Sequence, residues 1–171
     1  MITIKDTRDY WPMMGAGMIL LISGAARWAI GSVYGDSEAQ QLITSLANAG
    51  LYLGSAIATA SATTLALMLA LIGLTNRSDS DFDNAVYVRI SRVSSLATAA
   101  LIGSVLLLLL LVLPIGEFEN IPEGWYLIFY NILFAMVSLV CATLVATILQ
   151  LYLTIRRVLV AVTPLDDKIE D

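Results

Sequence analysis

Residues 93–113 read VSSLATAALIGSVLLLLLLVL, a run without one charged side chain that ends at Pro114. Six leucines stand side by side at 106–111, flanked by Val105 and Val112. A helix made from this stretch is apolar on every face. In water such a helix needs a large surrounding core, and a chain of 171 residues cannot build one. A bilayer accepts it, and asks for about 20 apolar residues in a row. Pro114 supplies the stop, because it has no N–H to continue the helix.

The same reading extends outward along the chain. Helices are predicted over about 12–34, 42–74, 85–113 and 122–162. The expected fold is all-α: an integral membrane four-helix bundle of antiparallel, up-down topology, with residues 1–171 forming a single transmembrane domain. Pro12 suits a first helical turn, where its missing N–H costs nothing. Tyr10 and Trp11 precede it, as interfacial aromatic residues do. The second and fourth helices exceed the thickness of a bilayer, so they are expected to tilt or to project into the cytoplasm. Composition agrees, with 58% hydrophobic and 13% charged residues, where a soluble domain carries about a quarter charged.

Charge placement orients the spans. Lys5 and Arg8, then Arg77, Arg89 and Arg92, then Arg156, Arg157 and Lys168 all fall on one side of this threading. The connections at 35–41 and 115–124 contain no basic residue. The positive-inside rule then predicts a multi-pass protein of the cell membrane with both termini and the middle connection in the cytoplasm. Lys5 and Arg8 alternate with Asp6 and Asp9, and no small-x-small site follows. The first apolar run is therefore expected to be a retained helix and not a cleaved signal.

Several function classes are disfavoured by what the chain contains. It has no histidine and one cysteine, Cys141, which removes the commonest general base and metal ligand. The net charge of −5 gives no footprint for nucleic acid. No carboxylate lies inside a span, and no nucleophile stands with a base. The expectation is a non-enzyme with no catalytic residue, metal or cofactor. Asp79-Ser80-Asp81-Phe82-Asp83-Asn84 opens like a calcium loop, but Asn84 and Ile90 stand where an EF-hand needs Gly and Glu. Asp83 is expected to cap the third helix.

The remaining candidates are polar or small residues within the spans. Thr44, Asn48, Ser55, Thr59 and Thr63 recur at helical spacing along helix two, and Arg27 and Asn131 lie at a depth similar to Asn48. Together these seven form a candidate polar path or ion site, since hydroxyl and amide groups can replace hydration water. Gly17, Gly24 and Gly31 on helix one, with Gly50, Gly54, Ala58 and Ala62 on helix two, form a candidate packing face where backbones approach closely. Ser95, Ala99 and Gly103 extend it on helix three, and helix two is expected to be the inner helix. Leu108, inside the leucine run, is expected to face lipid. Arg89, Arg92, Arg156 and Arg157 are candidate lipid head-group contacts. The function these features suggest is a homo-oligomeric channel or transport protein for a small ion, with helix two lining the path. The alternative is a non-catalytic accessory subunit of a larger membrane complex. The expected partners are the lipid bilayer and other copies or subunits.

Overall fold

The computed structural model describes residues 10–30, 36–75, 84–112 and 125–162. They form four α-helices: α1 (Trp11–Ile30), α2 (Asp36–Thr75), α3 (Asn84–Val112) and α4 (Trp125–Val162). Three of these contain segments long and apolar enough to cross a membrane, Gln41–Gly73, Val88–Val112 and Trp125–Arg156. α1 is the shortest helix, 20 residues, with Arg27 in its last turn. α3 ends at Val112, two residues before Pro114, where a proline disfavours helical geometry in the residue ahead of it. The stretch 35–41, read above as a connection, belongs to α2 from Asp36 onward. Acidic residue types suit a helix N-terminus, so polarity there marks a first turn and not a loop. At 40 and 38 residues, α2 and α4 reach ~60 Å at 1.5 Å per residue, about twice the hydrocarbon thickness.

The core follows a seven-residue rhythm. On α2 the buried positions are Gly50, Gly54, Ile57, Ser61, Thr64 and Met68. On α3 they are Ile90, Val93, Ala97, Ala100, Ser104 and Leu107. Steps of three and four alternate in both rows, the pattern that keeps one seam facing a partner helix. Gly50 lies against Leu111, Gly54 against Leu107 and Leu108, and Met68 clusters with Ile90 and Val93. The partners on α2 and α3 thus run in opposite chain directions. α4 joins the seam through Val140, which packs with Ile57 and Ala100 and lies 3.1 Å from where a Cβ on Gly103 would stand.

α4, and not α2, is the inner helix. It packs against α1, α2 and α3, whereas α2 packs against α3 and α4. A third of the apolar span of α4 is buried, against 17% for α2. α4 can do this because it buries two rows. Leu133, Val140, Thr147 and Thr154 repeat every seven residues, and Ser138, Ala142, Ala146 and Gln150 repeat every four. α1 stands on α4, where Gly15 meets Leu149 and Val145.

The leucine run also differs from expectation. Leu107 is fully buried, Leu108 covers Gly54 and Leu111 covers Gly50, while Leu106 and Leu109 point outward. A helix that is apolar all round gives no sign in its sequence of which side its neighbour takes. That information lies in the glycines of α2.

Candidate functional site

Arg27 sits in the last turn of α1, beside the second turn of α4. Its Nε–H donates to Oδ1 of Asn131 at 3.1 Å. Its guanidinium carbon lies 5.7 Å from the ring centroid of Tyr130, within the reach of a cation–π attraction. Tyr130 is 3% exposed and its ring stands 6.1 Å from that of Phe134. Arg27 makes a further interaction besides these. The charge is therefore held on the side of α4 by an amide oxygen and a ring face. Below it a groove of about 630 Å³ runs between α1 and α4, lined by Leu20, Ser23, Gly24, Phe134 and Ala135 among others. Arg27 and Asn131 border this groove. The site thus sets a guanidinium charge at the edge of an apolar groove.

Of the seven residues in the candidate polar path, the structure brings together Arg27 and Asn131. Asn48 is exposed on α2 and makes no hydrogen bond with them. Thr44, Ser55, Thr59 and Thr63 are likewise exposed, on the outside of the chain. Thr59 Oγ1 donates to the carbonyl of Ser55 at 2.9 Å, and Thr63 Oγ1 to that of Thr59 at 2.8 Å. Thr44 also has an interaction. The hydroxyls inside the protein behave in the same way. Those of Thr64, Ser104, Ser138, Thr147 and Thr154 each donate to a carbonyl three or four residues back on their own helix. Buried Ser61 Oγ has no hydrogen-bond partner among the described residues.

The candidate packing residues divide by helix. Gly50 and Gly54 are buried against α3, Ala58 is half-buried and Ala62 is exposed. Gly17 and Gly24 have nothing within 4 Å of a Cβ built on them, so they form no seam with α2 within the chain. α1 makes its close approach through Gly15 instead. On α3, Ser95 and Ala99 are exposed and Gly103 faces Val140. Among the candidate head-group contacts, Arg92 and Arg156 are exposed and Arg89 is half-buried with a partner. Gly31, the Asp79–Asn84 side chains and the Arg157 side chain lie outside the described residues.

Sequence reasoning missed Tyr130 as a partner of Arg27. The available signal was its place next to Asn131, near the start of an apolar helix where an aromatic ring can meet a cation. No protein-family model, curated protein or solved structure matches the chain.

Proposed function

We propose that this chain is a non-catalytic, four-span membrane protein that works by lateral assembly, with the outward face of α2 docking on a transmembrane helix of another copy or subunit. In this reading α1 is the fourth span. The helices alternate up and down, both ends lie in the cytoplasm, and the extra turns of α2 and α4 reach beyond the bilayer.

One observation carries the proposal. Between positions 55 and 63, α2 exposes Ser55, Ala56, Thr59, Ala60, Ala62 and Thr63, none larger than threonine. Two of the three hydroxyls in that face are already bonded to their own helix. Lipid removes the hydrophobic drive for helix association, so close backbone approach over small residues takes its place. Hydroxyls whose protons are already donated along the helix leave no donor for an anion, and the small side chains around them suit close helix contact. The channel reading would use the same face, with its path running between copies.

The test is a mass measurement after extraction in mild detergent, with liposome ion flux on the same preparation. The expected outcome is a complex heavier than the 18.4 kDa chain for wild type, a monomer for Ala60→Leu, and no flux. A monomeric wild type would overturn docking. Flux that is lost in Thr59→Val or Thr63→Val would establish the channel instead.

A further inference from the structure

α1 rests on α4 and leaves a gap beside α3. The gap is a groove of about 420 Å³, within the ~300–1,000 Å³ typical of ligand pockets. Its floor is apolar, with Met13 and Ala16 from α1, Leu96 from α3 and Ala146 from α4. Two polar side chains enter it from opposite helices. Gln150 on α4 is 7% exposed, lines the groove, and its carboxamide has no hydrogen-bond partner among the described residues. Arg92 on α3 lines the same groove, is exposed, and makes no ion pair among the described residues.

The depth of the groove can be read from its neighbours. Pro12 lines its end and follows Tyr10 and Trp11, both more than half exposed. Tyr152 is 60% exposed two residues beyond Gln150. Exposed Tyr and Trp mark the level of the membrane–water interface. Arg89, Arg92 and Arg156 belong to the same end of the molecule, since Leu151 packs against the cluster of Met68, Ile90 and Val93. The groove thus opens at the interface, positive at its mouth and apolar along its length, with an amide in its wall that has no partner among the described residues.

We infer that this groove binds one anionic phospholipid, its phosphate on Arg92, its glycerol-ester region on the Gln150 carboxamide, and an acyl chain along the Met13–Leu96 floor. The inference rests on the membrane placement proposed above. An amide left without a partner in hydrocarbon is costly, and a lipid ester carbonyl is the acceptor available at that depth. The arginine selects a negative head group over a zwitterionic one, because the interaction is charge-assisted.

The experiment uses the full-length protein in nanodiscs of phosphatidylcholine containing a minor fraction of phosphatidylglycerol. Native mass spectrometry then counts the lipids each chain retains. Wild type is expected to keep one phosphatidylglycerol. Arg92→Gln should weaken that retention roughly tenfold, as expected for a lost charged hydrogen bond. Gln150→Met, close in volume, should weaken it roughly fivefold, as for a neutral one. Thr98→Val, at an exposed position of α3 that does not line the groove, should leave it unchanged. Equal retention of phosphatidylcholine, an equal loss in Thr98→Val, or displacement of the lipid by inorganic phosphate would each overturn the proposal. The same spectra report the mass of the protein assembly, so a failed lipid site and a failed docking face are read separately.

Discussion

Arg27 shows how one charge is kept in an apolar helix. Its Nε–H meets Asn131 and its guanidinium carbon lies over the Tyr130 ring, so α4 supplies both an acceptor and a ring. These two contacts ask different things of the side chain. The hydrogen bond needs an N–H at the position of Nε, and the ring contact needs positive charge. Arg27→Lys keeps the charge and loses the Nε donor. Arg27→Gln loses the charge. Because Arg27 has a further interaction, a single substitution removes more than one contact, and a double-mutant cycle isolates the pair. For Arg27→Gln and Asn131→Leu, thermal unfolding in detergent should give a coupling of about 1 kcal/mol. Additive effects would mean that the two side chains do not support each other.

At the scale of the helix, the decisive contact is Gly54 against Leu108. A Cβ on Gly54 would stand 3.0 Å from Leu108 Cδ2 and 3.1 Å from its Cγ. Cγ is the branch point, so a rotation that clears one methyl brings the other in. At Gly50 the approach is closer, 2.6 Å, but the atom met is a terminal methyl of Leu111, and its Cγ lies at 3.8 Å. Gly54→Ala should therefore destabilise the α2–α3 pair by about 1–3 kcal/mol through overpacking, and Gly50→Ala by less. Leu108→Ala in the Gly54→Ala background should restore part of the loss. Equal melting temperatures for Gly54→Ala and Gly17→Ala would refute this, since Gly17 faces open space. The same contact shows what sequence could and could not convey. The helices were legible because apolar runs and prolines act locally, and the glycines of α2 pointed to close packing. The side of α3 that meets them was not legible, because leucine is equally suited to lipid and to a neighbour. The inner position of α4 was hidden for the same reason: its buried Ala142, Ala146 and Thr147 look no different from the exposed Ala56, Ala60 and Thr63 of α2. Arg27 and Asn131 could be paired by depth alone, but Asn48 shared that depth and lies elsewhere.

For the whole molecule, the arrangement of basic residues makes the sidedness testable. Cysteines introduced singly at Ser37 and Asn120, in a Cys141→Ala background, should react with a membrane-impermeant thiol reagent in intact cells. One at Ser80 should react only after the membrane is opened. The reverse pattern would turn the molecule over, and labelling of Ser37 and Ser80 from the same side would remove α2 from the count of spans. Either result would also move the Arg92–Gln150 groove to the other leaflet or out of the bilayer.

α1 leans on α4, and Arg27 and Asn131 are 104 residues apart in the chain. Of the four helices, α1 is translated first and its supporting surface on α4 last. At about 5–20 residues per second, the interval is roughly 5–20 s. Through that time the bond between Arg27 and Asn131 cannot form. A nascent chain halted after α3 holds a first helix with no docking site, a form that quality-control proteases can distinguish from the finished protein. Fusing a reporter after Val112 and comparing its half-life with that of the Arg27→Leu version would show whether Arg27 separated from Asn131 is the feature recognised. A longer-lived Arg27→Leu chain is the expected result.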